Sequence, residues 1–324
     1  MIDRRTLIIW GGALLASPLL IAAQPQGRRY EIGLLLITSR RHPGADQLLR
    51  PFLLGMRELG YEEGGNLVIH WAEAEGRPQH LPVLAAQLAA RKVHLIVAGG
   101  HEAALAARDA TTEIPIVFVA ARDPVGQGLV KSLSKPGGNL TGFAGEPLGG
   151  KWLELLRELA PLASRLAVIH VREDASFVED VRKFAPALKF ELLLREVQTE
   201  TDLEDLLRRL DKQRPECLLV LGGVIAYSRR QRILDFAAAR RLPAIYPLAR
   251  WADDGGLISY GVNYSDNWRR TVAYADRILK GTRPAELPVQ LPVKLELVIN
   301  ARTAKRLGLT IPQPVLLRAD RLIE

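Results

Sequence analysis

Two polar residues follow a pair of glycines at a position where a ligand could be bound. Gly99 and Gly100 end an apolar run that begins at Leu95, and His101 and Glu102 come next. Glycines there would let a ligand approach the backbone, and N–H groups at a helix start can hold an anion. His101 would then hydrogen-bond the ligand or respond to pH. The alternatives are a tight strand-to-helix turn without a ligand and an exposed first-turn histidine.

A second Gly-Gly pair occurs in a similar segment. The run at 95–100 (LIVAGG) recurs at 218–223 (LLVLGG), and each copy continues through a polar segment into another apolar run. This order is that of a βαβ unit, so the chain is expected to contain two similar α/β halves. Ligands of open parallel sheets bind at the carboxyl ends of the strands. We therefore expect a pocket between two facing halves, with Gly222 and Gly223 opposite the first pair.

Three polar side chains near the end of the first half are further candidates. Asp123 would pair with an amino group of the ligand, or it would cap a helix predicted to follow Pro124. Asn139 and Thr141 lie in a glycine-rich loop, at a predicted strand end, so we expect them to face the cleft. Their alternative role is to hold the turn through side-chain-to-backbone hydrogen bonds.

Three other residues complete the candidate ligand site. Tyr246 and Tyr260 both follow apolar runs and would stack on an aromatic or amphipathic ligand, although either would also suit the core. Ser39, just past the first predicted strand, is the last candidate.

Several motifs of catalysis and cofactor binding are absent from the sequence. There is no GxGxxG after the first predicted strand, no GxxxxGK(S/T) phosphate loop and no GxSxG motif. The 6 histidines lack metal-ligand spacing with one another or with Cys217. We therefore expect a protein that is not an enzyme and that holds neither a cofactor nor a metal.

The composition indicates a folded protein of two domains. A chain of 324 residues is long for one core, and 48% hydrophobic with 25% charged residues is ordinary for a globular protein. The net charge of +8 is spread over many short basic pairs, such as Arg208-Arg209, so we expect solvated faces and no nucleic-acid partner. Cys217 is the only cysteine, which excludes an intramolecular disulfide.

The first 23 residues have the pattern of a signal peptide. Arg4-Arg5 precedes the apolar run 7–15, and small residues follow at Ala22-Ala23. The apolar run is short for a transmembrane helix, which needs about 20 residues. An uncleaved anchor is the alternative, and the paired arginines also permit twin-arginine export. The prediction is a soluble periplasmic protein.

Apolar periodicity predicts strands that alternate with helices from residue 30 to the end of the chain. Helices are expected at 150–159 and 265–279, and short right-handed crossovers favour two doubly wound, mostly parallel sheets. Residues 293–298 (VKLELV) alternate apolar and polar side chains, which predicts an edge strand with one wet face.

Nine motifs in a fixed order make the chain similar to a known family, the ABC transporter substrate-binding proteins of the tryptophan/tyrosine-importer type. They lie at 114–119 (IPIVFV), 123–126 (DPVG), 135–142 (KPGGNLTG), 150–156 (GKWLELL), 241–247 (RLPAIYP), 255–261 (GGLISYG), 277–281 (RILKG), 295–300 (LELVIN) and 307–312 (LGLTIP). The resemblance extends from about residue 28 to the C-terminus.

The resemblance implies a type I periplasmic-binding-protein fold, in which two Rossmann-like lobes close over a small ligand such as an amino acid. The chain of that fold crosses three times between the lobes. The lobes are then expected at 28–143 plus 262–285 and at 144–261 plus 286–324. The implied partners are the small-molecule ligand and an inner-membrane ABC permease with its ATPase, and we expect a monomer.

One motif departs from the family pattern. Members usually carry Gly-Thr or Gly-Ser after the third strand, whereas this chain has Gly100-His101-Glu102 and no hydroxyl group. A related small carboxylate therefore stays open as the ligand beside an amino acid. A periplasmic sensor that signals to a partner and a two-lobed glycosyltransferase also remain as alternative functions.

Overall fold

The fold consists of two mostly parallel β-sheets covered by helices, which confirms the expected α/β class. The computed structural model describes residues 28–41 and 45–324. The predicted signal peptide, residues 1–23, lies outside the described part. None of the helices in that part is both long enough and apolar enough to span a bilayer.

The first half of the chain forms a five-stranded sheet of order β2-β1-β3-β4-β5. All of its strand pairs are parallel. Its elements are β1 (Tyr30–Leu36), α1 (Ala45–Glu58), β2 (Leu67–Glu73), a 3-10 turn (Pro78–His80), α2 (Leu81–Ala90), β3 (Leu95–Gly99), α3 (His101–Ala110), β4 (Ile116–Ala121) and β5 (Leu140–Ala144). Every residue of β4 and β5 is buried, which requires a cover on both faces of the sheet.

The remainder of the chain builds a seven-stranded sheet of order β12-β11-β10-β9-β8-β6-β7. Only β10 and β11 pair in antiparallel fashion. The elements are α4 (Gly149–Leu159), β6 (Arg165–His170), a 3-10 turn (Arg172–Asp174), α5 (Ala175–Phe184), β7 (Glu191–Glu196), α6 (Glu200–Gln213), β8 (Cys217–Val220), α7 (Val224–Ser228), α8 (Arg230–Ala239), β9 (Ala244–Tyr246), α9 (Ala249–Asp253), β10 (Ile258–Val262), α10 (Tyr264–Leu279), a 3-10 turn (Pro284–Glu286), β11 (Leu295–Asn300), α11 (Ala301–Leu307), α12 (Gln313–Leu316) and β12 (Arg321–Ile323).

Helix α10 belongs to the first sheet although it follows a strand of the second. It packs against α1 and against β3, β4 and β5. Its apolar face buries Trp268 edge-on against Phe52 of α1, with the ring centroids 5.8 Å apart. After α10, the Gln290 N–H donates to the Gly142 carbonyl at 2.9 Å, so the chain leaves the first sheet only beyond that residue. These memberships fit discontinuous lobes, but the Gln290 contact extends the first lobe past its expected end at residue 285, and the lobe boundaries remain a proposal.

Two local predictions are wrong. No helix follows Asp123-Pro124, because the chain there forms successive turns through Gly128. The strand near residue 295 is not at an edge of its sheet. Strand β12 pairs with β11 on the side away from β10, so the last four residues of β11 are buried.

Gly142 in β5 is required by backbone crowding, which gives a test of the first sheet. Its φ is +149°, and an added Cβ would lie 2.1 Å from the Phe118 carbonyl oxygen of β4. Gly142→Ala should therefore lower the free energy of unfolding by about 3 kcal/mol, measured by urea denaturation. Gly138→Ala is the matched control, because an added Cβ at Gly138 meets no atom within 4 Å. Equal stability of the two variants would contradict the packing described here.

Candidate functional site

A buried ion-pair network joins the carboxyl ends of the two sheets. Arg122 follows β4 of the first sheet, and Asp174 follows β6 of the second. The Arg122 Nη2 donates to Glu102 Oε1 of α3 at 2.7 Å, and the Arg122 Nε lies 3.2 Å from Asp174 Oδ1. These three residues are called the Arg122 triad below. The triad therefore connects the carboxyl edges of the two sheets, and the region between these edges is called the cleft below.

Two of the four predicted glycines border the same cleft. Gly100 precedes α3 with φ +111°, and an added Cβ there would meet no atom within 4 Å. Gly222 has φ +143°, and its added Cβ would lie 3.7 Å from Arg122 Nη1. Arg122 therefore lies between the two Gly-Gly segments, since it binds Glu102 just after Gly100 and borders Gly222.

The other two glycines serve packing. An added Cβ at Gly99 would lie 2.8 Å from Leu36 Cδ2 and 3.0 Å from Trp268 Cζ2. An added Cβ at Gly223 would lie 2.2 Å from Val171 Cγ1. Neither position has room for a side chain, so the strand-to-helix turn itself accounts for both glycines.

His101 is buried beside the Arg122 triad. Its side chain is not the exposed first-turn group considered from the sequence, since the residue is only 2% exposed. Neither ring nitrogen has a hydrogen-bond partner. Burial, assisted by the positive charge of Arg122, lowers the pKa of His101 to about 4. The imidazole is therefore neutral near pH 7 and presents one donor and one acceptor.

The two carboxyl groups of the triad respond differently to Arg122. Burial raises the pKa of Glu102, but the charge of Arg122, the backbone N–H of Glu102 and the nearby His101 together hold it below its ordinary value. The pKa of Asp174 is raised, because burial outweighs the attraction of Arg122. The hydrogen bond from Arg122 to Glu102 contributes to this difference, and so does the negative charge of Glu102, which raises the pKa of Asp174 further. Burial opposes the charge of Arg122, yet Glu102 and Asp174 raise its pKa above the ordinary value.

Asp123, Asn139 and Thr141 each hold the backbone through a side-chain hydrogen bond. Asp123 Oδ1 accepts a hydrogen bond from the Gly126 N–H at 3.0 Å. Asn139 donates to the Thr111 carbonyl at 3.1 Å, and fully buried Thr141 donates to the Leu287 carbonyl. Asn139 and Thr141 lie at the amino end of β5, which is parallel to β4, so they are at the edge opposite Arg122. The expectation that they face the cleft is corrected by this strand direction.

The aromatic candidates and Ser39 also lie outside the triad. Tyr246 is 1% exposed and stacks on Trp251 in the core, with the centroids 4.9 Å apart. Tyr260 packs at the margin of the core cluster that contains Trp152. Ser39 Oγ accepts a hydrogen bond from the Arg41 N–H at 3.2 Å. The core alternative therefore describes Tyr246, and a local turn accounts for Ser39.

Sequence reasoning missed Arg122 and Asp174. The available signal was a charged residue directly after a buried strand, and Arg122 meets it one position before the selected Asp123. Asp174 comes four residues after β6, so its distance along the chain hid it. The described part of the chain has no cluster of three His, Cys, Asp or Glu side chains placed to hold a metal ion.

Comparison with known proteins gives the following similarities. Residues 32–323 match the family described as ABC transporter substrate binding protein. A tyrosine-binding protein of Clostridioides difficile is 27% identical over 271 residues, which are 83% of this chain and 78% of that protein.

Two solved structures, each 26% identical over 91% of this chain, differ in their ligand state. An ABC domain from Streptococcus pneumoniae in complex with L-Trp, covered over 100% of its length, has a TM-score of 0.85. A ligand-free, open substrate-binding protein from Clostridium difficile, covered over 99%, has a TM-score of 0.69. At equal identity, this chain resembles the L-Trp complex more than the open structure.

The neutral state of His101 predicts a pH dependence of stability. The unfolded chain protonates this histidine as the pH falls through about 6.5, whereas the folded chain keeps it neutral down to about 4. The contribution of His101 to the unfolding free energy is therefore fully present above pH 6.5 and falls as the pH drops from 6.5 to 4. The loss is about 2 kcal/mol at pH 5. His101→Gln should remove this part of the loss in urea denaturation at pH 7 and pH 5. His80→Gln, remote in a 3-10 turn, should retain it. Parallel pH profiles of His101→Gln and the wild type would contradict the assignment.

Asn139 should matter for stability and not for ligand affinity. Its amide donates to the Thr111 and Ile114 carbonyls at 3.1 and 2.8 Å, so Asn139→Ala should cost about 1–2 kcal/mol of unfolding free energy. The ligand affinity of Asn139→Ala, measured by calorimetry, should match that of the control Gln231→Ala. The Gln231 side chain is exposed on α8. A selective loss of affinity in Asn139→Ala would return this residue to the ligand site.

Proposed function

The chain belongs to the ABC transporter substrate-binding protein family, and from that premise we propose that it captures an amino acid between its two lobes. It is a substrate-binding protein of an ABC transporter. The names of its relatives supply the amino-acid class, since one is a tyrosine-binding protein and another is solved with L-Trp. In its broader form, the proposal also includes related small carboxylates as ligands.

The observation that carries the proposal is the contact across the cleft. Arg122 Nε of the first sheet lies 3.2 Å from Asp174 Oδ1 of the second, and a Cβ added at Gly222 would lie 3.7 Å from Arg122 Nη1. Contacts of this kind form only when the lobes are closed. A ligand that contacts both lobes therefore stabilises the closed form over the open one. A shift from mostly open to mostly closed needs about 5 kcal/mol of differential affinity.

We also propose the cellular setting. Family membership supports a location outside the cytoplasm, and the charged and apolar pattern of residues 1–23 supports export to the periplasm by a cleaved signal peptide. The closed monomer would deliver its ligand to an inner-membrane permease that is driven by an ATPase. A periplasmic sensor would use the same closure, so delivery to a permease is what separates the two functions. The family supplies no support for the glycosyltransferase alternative.

A thermal-shift screen against the twenty L-amino acids tests the proposed function. A ligand at 100 times its dissociation constant should add about 2.7 kcal/mol to the unfolding free energy. Calorimetry would then confirm a single site, and small-angle scattering should show a smaller radius of gyration in the bound state. Sugars, nucleosides and nucleotide-sugars serve as control compounds. Stabilisation only by a nucleotide-sugar would overturn the proposal in favour of a transferase.

A further inference from the structure

The Arg122 triad contains more negative than positive groups. Two carboxyl groups, Glu102 and Asp174, face one guanidinium, and neighbouring His101 is neutral near pH 7. All three triad side chains are at least three-quarters buried, with Asp174 fully so. Opposite charges attract strongly at such depth, and like charges repel strongly. A second cation entering the cleft would balance the formal charges, whereas another carboxylate would add to the excess.

Asp174 has a specific acceptor atom that is unused. Its Oδ2 accepts a hydrogen bond from the Val171 N–H at 3.0 Å. Its Oδ1 makes no hydrogen bond, although Arg122 Nε lies 3.2 Å away, and Arg122 Nε likewise makes none. The Arg122 N–H therefore does not point at this oxygen. A fully buried carboxylate oxygen without a hydrogen bond is costly, so a donor that reaches it gains the full interaction.

The start of α3, which could otherwise receive a ligand carboxylate, already faces a carboxylate of the chain. Glu102 is in the first turn of α3, and its side chain accepts the backbone N–H of the same residue. A negative side chain in this turn offsets the positive end of the helix dipole. Glu102 also accepts the hydrogen bond that Arg122 Nη2 donates. An incoming carboxylate would thus compete with Glu102 for both positive groups.

We propose that the cleft recognises its ligand through a protonated amino group that donates to Asp174 Oδ1, and that it excludes acids without an amino group. This inference rests on the proposed function and narrows its ligand class to amino acids and amines. The neutral, unpartnered imidazole of His101 supplies a further acceptor beside the same cleft. Arg122 holds the two carboxyl groups on either side of the cleft and remains in place when the ligand binds.

Two matched ligand series test the proposal on the wild-type protein by calorimetry. The first is L-tyrosine, tyramine and 3-(4-hydroxyphenyl)propionate, and the second is L-leucine, 3-methylbutylamine and 4-methylpentanoate. In at least one series, the amino acid and the amine should bind at least about tenfold more tightly than the acid. An acid that binds as tightly as its amine overturns this inference and leaves the proposed function intact. Binding of none of the six compounds, together with no stabilisation by any of the twenty amino acids, overturns both.

Substitution of Asp174 identifies the acceptor. Asp174→Asn keeps the shape and an oxygen for the Val171 N–H but removes the charge, so affinity for the amine should fall between about 10-fold and about 100-fold. Asp211→Asn is the matched control, because Asp211 lies exposed on α6 and pairs with Arg240. The affinity of this variant for the amine should equal that of the wild type. Unchanged amine affinity in folded Asp174→Asn overturns the proposal. If that variant does not fold, the wild-type ligand series decides alone.

Discussion

The closed arrangement of this protein depends on one guanidinium held between two carboxyl groups from different parts of the fold. Arg122 is only 14% exposed, and its two partners come from α3 of the first sheet and from the turn after β6 of the second. Burial of charged groups is costly, and loss of one partner from a buried pair costs about 3–5 kcal/mol. The triad is therefore stable only while both sheet edges remain together and exclude water.

The surrounding elements supply this proximity. Helix α10 returns from the second sheet to the first and fills the face beside α1, which commits the chain to several crossings. Gly99 and Gly223 permit the tight turns at the strand ends, because Trp268 and Val171 occupy the space of any side chain there. Gly222 leaves room for Arg122. The packing at these turns and the charges of the Arg122 triad thus both keep the two sheet edges together.

Closure explains why a binding protein tolerates incomplete pairing in its interior. His101 and Asp174 keep polar atoms without hydrogen bonds, although such atoms are rare in folded proteins. A ligand that supplies the missing partners stabilises the closed form specifically, since the same atoms are hydrated when the lobes part. Under the proposed function, the unpaired atoms would therefore couple ligand binding to lobe closure.

The sequence by itself determined the α/β class, the two related halves and the family, because apolar periodicity and motif order are properties of neighbouring residues. It also placed Gly100, His101 and Gly222 at strand-to-helix turns, since strand ends can be read directly from a single chain segment. It placed Asn139 and Thr141 at the wrong edge, because the direction of β5 relative to β4 is not encoded locally. Only the tertiary structure paired Arg122 with Asp174, 52 positions further along. An ion pair between sheets depends on how the two sheets face each other, and no local pattern records that.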